Sequence, residues 1–392
     1  MEQFQHPGPI SKVYLRDNVI HGPIPDSIFQ LLGLIQLSLA NNNFSGNVQV
    51  EMLSELKNLT FIDLSYNALL SVTGKVTLPQ LEYVCLSSCS ITKVPIFLGT
   101  LSFIYLDLSN NTIFGRISQL QLGNCSNLSY LNLSHNLLTS VDYISSMANL
   151  LSLDLSSNLL RGQLVDLPTG VIFFSASNND LTGVIPPSFC NGSRVQSLDL
   201  SHNGLSGNIP KCLAKSTADT EFLNLAMNNF HGSIESLMFP DQCGVTALML
   251  NDNQFEGPLP SSLVNCRGLD ILDVGNNRIN DSFPNWLLKF QFLQVLILRF
   301  NQFHGPIGNS STRFRSPWLR VLDLSHNQFS GILPASFFNN FEAMKSGYKV
   351  DVKLNYLHSF FWYILFNNFV FKRCRDPDGK GFIHFHMHRS FQ

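Results

Sequence analysis

The sequence predicts a solenoid: a right-handed superhelix of the α/β type, with a parallel β-sheet along its concave face. Short 3-10 or irregular segments and short second strands are expected on the convex side. Three observations support this prediction. An asparagine recurs every 21–26 residues, apolar residues precede it at the spacing L-x-x-L-x-L, and a G-x-[IL]-P element often follows it. All three are clear in residues 195–213, which read VQSLDLSHNGLSGNIPKCL.

The recurring asparagine sets the phase of the repeat. Its spacing to the apolar residues is the leucine-rich-repeat pattern, L-x-x-L-x-L-x-x-N-x-L, in which cysteine can replace the asparagine. The phased recurrence predicts about 14 repeats over residues 11–345. The slot is filled by Asn18, Asn42, Asn67, Cys89, Asn111, Asn136, Asn158, Asn179, Asn203, Asn228, Asn253, Asn277, Asn301 and Asn327.

Each position of the repeat has a physical reason. The L-x-L pair, as in Leu198 and Leu200, alternates like a strand with one face turned inward. A turn buried inside the coil needs partners for its backbone groups, and an asparagine amide can bond the backbone of its own coil and of the next. Stacked coils therefore predict a ladder of asparagines, and stacking supplies the stability that one coil alone lacks.

Composition narrows the class of partner. The chain has 392 residues, a formal net charge of −2 and only 13% charged residues. No basic stripe runs across the repeats, so nucleic acid is not expected as a partner. No sequence feature calls for a cofactor or a metal.

Two pairs of cysteines are about one coil apart. Cys190 and Cys212 are separated by 22 residues, and Cys243 and Cys266 by 23. Residues one coil apart are stacked neighbours, which makes a disulfide within each pair feasible. The alternative, four independent buried thiols, stays open.

Sequons for N-glycosylation are spread along the repeats and give modest support for secretion. They begin at Asn43, Asn58, Asn110, Asn124, Asn127, Asn132, Asn191, Asn280 and Asn309.

The two ends differ from the repeats. Residues 1–10 have neither a basic start nor an apolar run, so they are interpreted as a stub without a signal peptide. Residues 346–392 contain no repeat slot and are predicted to be a poorly ordered tail. Their apolar stretch 360–371 is shorter than the ~20 residues that span a bilayer. His384, His386 and His388 alternate there and could hold a metal, but an accidental pattern is the preferred interpretation.

The amino-acid sequences of several blocks are more specific than the generic repeat pattern. The chain contains SFCNGSRVQSLDLSHNGLSGNIPKCL from Ser188, SLVNCRGLDILDVGNNRINDSFPNWL from Ser262 and FFNNFEAMK from Phe337. With these blocks, residues 11–345 resemble plant leucine-rich-repeat receptor-like proteins, and most closely the Cf-type disease-resistance receptors.

That resemblance implies a signal peptide, an extracellular solenoid, a single membrane span and a short cytoplasmic tail without a kinase. It also implies recognition of a peptide or protein ligand and signalling through a partner receptor kinase at the plasma membrane. Because the signal, the caps and the span are not found in this sequence, we expect a chain truncated at both ends. Any contact with the membrane would be made through the missing segments.

Candidate catalytic residues are better explained by the repeat. Aspartates recur between the strand leucines and histidines recur in S-H-N, so both are interpreted as repeat consensus. The aspartates are Asp63, Asp107, Asp154, Asp199, Asp273 and Asp323, and the histidines are His135, His202 and His326. No kinase motif is present. The sequence therefore predicts a module that binds and does not catalyse.

Outward positions of the concave strands do no packing for the core, so departures from consensus there indicate a binding surface. Neutral drift in a degraded paralogue is the alternative explanation. The departures concentrate at Glu221, Phe222, Met227, Thr246, Met249, Asp252, Ile297, Arg299 and Phe300.

The preferred hypothesis is a recognition module of a receptor-like protein, acting in defence or development. Three alternatives remain at this point: the ectodomain of a receptor kinase, a soluble inhibitor of cell-wall hydrolases, and an inactive truncated product.

Overall fold

The computed structural model describes residues 11–74, 80–95, 98, 103–117, 126–141, 144–190, 195–215, 217–307, 317–334 and 337–345. The predicted stub at residues 1–10 and the predicted tail at 346–392 lie outside these residues. So do the apolar stretch 360–371 and the three alternating histidines.

One parallel sheet runs through the described repeats. It has 14 strands, and their order in the sheet follows their order in the sequence, so each coil adds one strand beside the last. The predicted solenoid is thereby confirmed. The strands are β1 (Lys12–Tyr14), β3 (Gln36–Ser38), β5 (Phe61–Asp63), β7 (Tyr83–Cys85), β8 (Tyr105–Asp107), β10 (Tyr130–Asn132), β12 (Ser152–Asp154), β14 (Phe173–Ser175), β16 (Ser197–Asp199), β18 (Phe222–Asn224), β20 (Ala247–Met249), β22 (Ile271–Asp273), β24 (Val295–Ile297) and β26 (Val321–Asp323).

The middle residue of each strand points into the core. Leu198 pairs with Leu223, and Leu223 pairs with Leu248, so identical positions stack without a register shift. All three leucines are buried in one continuous apolar cluster that extends along the solenoid. Since side chains alternate along a strand, the first and third residues of each strand project from the opposite side of the sheet.

Short lateral strands follow the asparagine of most coils. They are β2 (His21–Pro23), β4 (Asn43–Gln49), β6 (Leu69–Thr73), β9 (Phe114–Ile117), β11 (Leu137–Val141), β13 (Arg161–Gly162), β15 (Asp180–Gly183), β17 (Gly204–Gly207), β19 (Asn229–Ser233), β21 (Gln254–Gly257), β23 (Arg278–Ile279), β25 (His304–Gly305) and β27 (Gln328–Phe329). These strands form a three-stranded sheet β2-β4-β6, a pair β9-β11, a six-stranded sheet from β13 to β23 and a pair β25-β27.

The convex side carries little helix. Its 3-10 segments are Asp26–Gln30, Ile144–Ser146, Pro187–Cys190, Ile234–Ser236, Ser261–Asn265, Leu287–Lys289 and Phe337–Asn340. Single α-helical turns occur at Val50–Leu53, Lys211–Lys215 and Glu342–Lys345. The G-x-[IL]-P element leads into this side: Gly207 has φ +81°, a left-handed conformation that glycine adopts without strain, and the following proline stops strand pairing.

The asparagines form a ladder of side-chain hydrogen bonds inside the coils. The Asn67 amide nitrogen donates to the carbonyls of Leu39, Leu64 and Ser65, at 3.1, 2.9 and 3.3 Å. Its amide oxygen accepts from the Phe44 N–H of the preceding coil at 3.0 Å. Each side chain therefore ties its own turn to the coil before it, and the pattern repeats from Asn42 to Asn327 with one exception.

Cys89 is that exception, and Asn18 opens the ladder in the first described coil. The Cys89 thiol lies 3.1 Å from the Leu64 carbonyl and 3.4 Å from the Ser87 carbonyl, so it keeps two of the usual contacts through a weaker donor. Asn18 is exposed and donates to the carbonyls of Leu15 and Arg16, both within its own coil.

Candidate ligand-binding face

Each coil presents five residues on the outer side of the sheet. In the Asn203 coil they are Gln196 just before β16, Ser197 and Asp199 within it, and Ser201 and His202 before the asparagine. The equivalent residues of all 14 strands are called the sheet face below. A surface of parallel strands with one side free of core packing is a suitable platform for an extended ligand.

The aspartates of the sheet face have a structural role. The Asp154 Oδ1 atom accepts the Ser156 N–H at 2.9 Å, and the Asp199 Oδ1 atom accepts the Ser201 N–H at 3.0 Å. The same bond, two residues on, is made by Asp63, Asp107, Asp273 and Asp323. An aspartate in this position closes the turn that leads to the asparagine. Burial raises the pKa of Asp63 to about 6 and that of Asp154 to about 6.

The residue before each ladder asparagine lies in the left-handed backbone region. Its φ is 53° at His202, 54° at Met227 and 51° at Phe300. Asparagine, aspartate and glycine tolerate this conformation, whereas a larger side chain costs roughly 1–2 kcal/mol. Met227 and Phe300 are nevertheless 43% and 46% exposed, so neither side chain fills core space that would offset that cost.

The structure gathers the nine nominated residues around three strands. Glu221, Phe222 and Met227 belong to the β18 coil, Thr246, Met249 and Asp252 to the β20 coil, and Ile297, Arg299 and Phe300 to the β24 coil. The β22 coil separates the second group from the third.

Two of the nominated side chains are covered by their neighbours. Phe222 is 6% exposed and Ile297 is 7% exposed, because they pack against Ala247, Ile271 and Val295 in a second apolar cluster. This cluster lies on the sheet face and is separate from the core cluster. Phe222 and Ile297 therefore form part of the floor of the face and offer little area to a ligand.

Arg299 and Asp252 both contact neighbouring side chains. The Arg299 guanidinium lies 4.0 Å from the Asp323 carboxylate, and its buried Nε has no hydrogen-bond partner among the described residues. Beside it, the Phe300 ring stacks on His326 with centroids 3.9 Å apart. The Asp252 carboxylate accepts from the amides of Asn251 and Asn276, both at 2.6 Å.

The sequence analysis missed an aromatic row at the other end of the face. Phe61, Tyr83, Tyr105 and Tyr130 are the first residues of four consecutive strands. Their ring centroids are 6.4, 6.2 and 4.0 Å apart in turn. Burial is the main cause that raises the pKa of both Tyr105 and Tyr130. The signal was available, since each of the four lies six residues before its repeat slot, and these slots are Asn67, Cys89, Asn111 and Asn136.

One predicted disulfide is formed, and one bonded cysteine was not predicted. Cys243 and Cys266 are bonded across 23 residues. Cys212 is also disulfide-bonded, but the side chain of its predicted partner, Cys190, lies outside the described residues. Cys85, for which the sequence suggested no partner, is disulfide-bonded as well. Cys89 is free and buried, and burial raises the pKa of its thiol to about 12.

The sequons differ in accessibility. Asn43, Asn58, Asn127 and Asn280 are exposed. Asn110 is exposed too, but its backbone is left-handed and its side-chain amide donates a hydrogen bond to the Ser88 hydroxyl, and both features restrict it. Asn132 lies within β10 on the sheet face, and its amide oxygen accepts from Ser134. The sequons at Asn124, Asn191 and Asn309 lie outside the described residues.

Among the described residues, no cluster of histidine, cysteine or carboxylate side chains could hold a metal ion. Within the same part of the chain, every helix is too short or too polar to cross a bilayer. The sheet face is the candidate binding surface of the described residues. A leucine-rich-repeat protein is the class that the stacked strands, the asparagine ladder and the open sheet face define.

Comparison with known proteins agrees with this class. The Leucine Rich Repeat family model matches residues 170–191, 194–216 and 318–340. Receptor-like protein 35 of Arabidopsis thaliana is 37% identical over 303 residues, covering 76% of this chain and 30% of the relative. Receptor-like protein 54 of the same plant is 37% identical over 341 residues, covering 85% of this chain and 42% of the relative.

Solved structures give the same result. The plant peptide hormone receptor RGFR1 in complex with RGF2 matches 85% of this chain and 54% of its own, with a TM-score of 0.71 and 27% identity. A TDR receptor matches 82% of this chain and 56% of its own, with a TM-score of 0.72 and 28% identity.

The chain belongs to the plant leucine-rich-repeat receptor-like proteins. It spans less than half of the length of the two curated relatives described above. Its assignment to the Cf-type branch stays a prediction.

Proposed function

We propose that this chain is the ligand-recognition part of a plant receptor-like protein, and that it binds a peptide or protein segment on the sheet face without catalysing a reaction. The bound state would be passed to a partner receptor kinase at the plasma membrane, as the family resemblance implies. The nine nominated residues are proposed as the C-terminal part of this surface, with the buried Phe222 and Ile297 as its floor and the other seven as its contacts.

The observation that carries the proposal is the pair Met227 and Phe300. Both are large, exposed apolar side chains in left-handed backbone, where they cost free energy and fill no core space. In other coils the same position holds residues that suit it better, such as Asn178 and Asn276. An unfavourable large residue on an open surface supports a contact made with another molecule.

A second candidate is the ectodomain of a leucine-rich-repeat receptor kinase. It is favoured by the similarity to RGFR1, whose structure contains a peptide hormone. The curated relatives with higher identity are receptor-like proteins, which is why the first candidate is preferred. The coding sequence downstream of this region decides between them, since only the second candidate requires a kinase domain.

Peptide selection tests the binding proposal. The full chain is produced by secretion, immobilised, and exposed to a phage-displayed library of random peptides about 12 residues long, which extended would cover ~40 Å of the face. Enriched clones are then measured against Met227→Asn and Phe300→Asn. We expect both variants to weaken binding at least about tenfold. Met227→Asn should also gain about 0.5–1 kcal/mol of stability, because asparagine suits left-handed backbone. In Phe300→Asn, loss of the stack on His326 should offset that gain.

Phe114→Asn is the matched control. Phe114 is 56% exposed and lies on the lateral strand β9, so the change removes a similar ring away from the sheet face. We expect it to leave binding unchanged. A library that yields no clone sensitive to Met227→Asn or Phe300→Asn would contradict the proposed function.

A further inference from the structure

One disulfide-bonded cysteine, Cys85, lies on the sheet face. It is the third residue of β7, in register with Asp63 on β5 and Asp107 on β8. Val84, the residue before it, belongs to the apolar core, so the Cys85 side chain projects from the opposite side of the sheet. The partner of Cys85 must therefore approach from the concave side of the solenoid.

Most of the other cysteines are already accounted for. Of the eight in the chain, Cys243 and Cys266 are bonded to each other and Cys89 is free. Cys190 and Cys212 belong to two convex segments, one coil apart, that contact each other. Because both segments are on the convex side, neither cysteine is positioned to reach the sheet face.

Cys125 is separated from the sheet face by the core. It precedes β10 by five residues, as Cys266 precedes β22 by five residues. Cys266 is buried directly after the convex 3-10 segment Ser261–Asn265, and Cys125 shares its repeat position. A disulfide joins Cα atoms less than about 7 Å apart, whereas the layer of core leucines lies between this position and Cys85. Cys374 is the one cysteine that remains.

We infer that Cys374 is the disulfide partner of Cys85, and that the segment before it, residues 360–371, covers the sheet face. This inference goes beyond the proposed function, because the occupant is the protein's own chain. Formation of the bond removes one hydrogen atom from each thiol. The disulfide of a disulfide oxidoreductase is the oxidant, and exchange reduces it to two thiols.

The length of the chain allows this path. Cys374 follows Lys345, the last described residue, by 29 residues, which extended would reach ~95 Å. β7 and β26 are ten strands apart in the sheet, a distance of about 48 Å. Residues 360–371 extended would cover ~40 Å, or about eight strands, from β8 to β22.

The charges next to the two cysteines are complementary. Cys85 lies between the carboxylates of Asp63 and Asp107 on the neighbouring strands. The residues around Cys374 are basic, namely Lys372, Arg373 and Arg375. Opposite charges on the two sides favour this pairing and fix its position along the solenoid.

The face between β8 and β18 has the burial that a covering segment would give. Tyr105 and Phe173 are each 7% exposed, and Ser197 is 0% exposed, although all three project from the side of the sheet opposite to the core. The buried Ser197 hydroxyl has no hydrogen-bond partner among the described residues. Residues 360–371 read FFWYILFNNFVF, so they offer apolar area for the rings and amides for buried polar groups.

Disulfide mapping tests the bond directly. The full chain is produced by secretion, its free thiols are alkylated in denaturant, and its chymotryptic peptides are analysed by mass spectrometry without reduction. We expect a linked pair that contains Cys85 and Cys374, with Cys89 and Cys125 alkylated. A link from Cys85 to Cys125, or an alkylated Cys374, would overturn the inference.

Limited proteolysis of the folded chain tests the covering of the face. We expect chymotrypsin to cut within residues 360–371 at least about tenfold faster in Cys374→Ser than in the native chain, because cleavage follows the released fraction. Cys243→Ser is the matched control, since it removes a disulfide that does not hold the segment. It should be cut there at the native rate, and melting curves check that both variants fold. Equal rates in Cys374→Ser and the native chain would show that the bond does not hold the segment on the face.

The effect on ligand binding rests on the proposed function. Peptide clones that require Met227 and Phe300 should bind Cys374→Ser at least about fivefold more tightly than the native chain, because a tethered competitor is released. Equal binding would overturn the covering of the face and leave the proposed function standing. If no clone requires Met227 or Phe300, the proposed function fails, while the disulfide map and the cleavage rates still decide this inference.

Discussion

Replacing Asn67 by alanine tests how much the asparagine ladder stabilises the coils. The side chain is fully buried, and its loss removes three donated bonds and leaves the buried Phe44 N–H without its acceptor. The Leu39 and Leu64 carbonyls keep other partners, Asn42 and Cys89. The main cost is thus one orphaned donor plus the lost bonds, about 3 kcal/mol in all.

Asn18→Ala is the matched comparison, because the same residue type occupies the same slot but is exposed. We expect it to cost less than about 1 kcal/mol. Urea unfolding followed by circular dichroism gives both values, and amide exchange at Phe44 reports the local effect, with faster exchange in Asn67→Ala. If the two variants agree within about 0.5 kcal/mol, the ladder does not stabilise the coils through these bonds.

Three further outcomes are expected. Cys243→Ser, which breaks the disulfide to Cys266 and opens a loop of 23 residues, should lower the free energy of unfolding by about 3 kcal/mol in urea titration. Burial holds the pKa of Asp63 and Asp154 at about 6, above the unfolded value near 3.9. The contribution of these two carboxyl groups to stability should therefore be greatest below about pH 3.9 and should be lost as pH rises through about 6. The Tm should therefore be higher at pH 5 than at pH 7.5, and Asp154→Asn should reduce the difference. Tyr105→Ala should cost about 3 kcal/mol by removing a buried ring from the aromatic row, whereas Tyr105→Phe should cost less than half of that.

The sequence predicted the position of each coil because the periodic residues are those that the core requires. A single coil shows that Leu198 points inward and that Asn203 must bond buried backbone, and the structure has both. The role of Asp199 is equally local, since its acceptor bond reaches only two residues along the chain.

Features that depend on several coils at once were harder to predict. The burial of Phe222 and Ile297 arises from side chains on the coils beside them, which a pattern within one repeat does not describe. The aromatic row likewise exists only when four coils are aligned by strand position. Cys85 shows the same limitation, because it is disulfide-bonded although no cysteine lies one coil before or after it in the sequence.

The interruptions between the lateral sheets have a mechanical consequence. Where a lateral sheet accompanies the main sheet, as from β13 to β23, two hydrogen-bonded ladders resist bending of the solenoid. Around residues 90–95 no lateral strand is formed in the described chain, and β6 and β9 belong to separate sheets. The molecule therefore resembles an elastic rod of unequal stiffness, and a bending force should concentrate its curvature at this joint, close to Cys89.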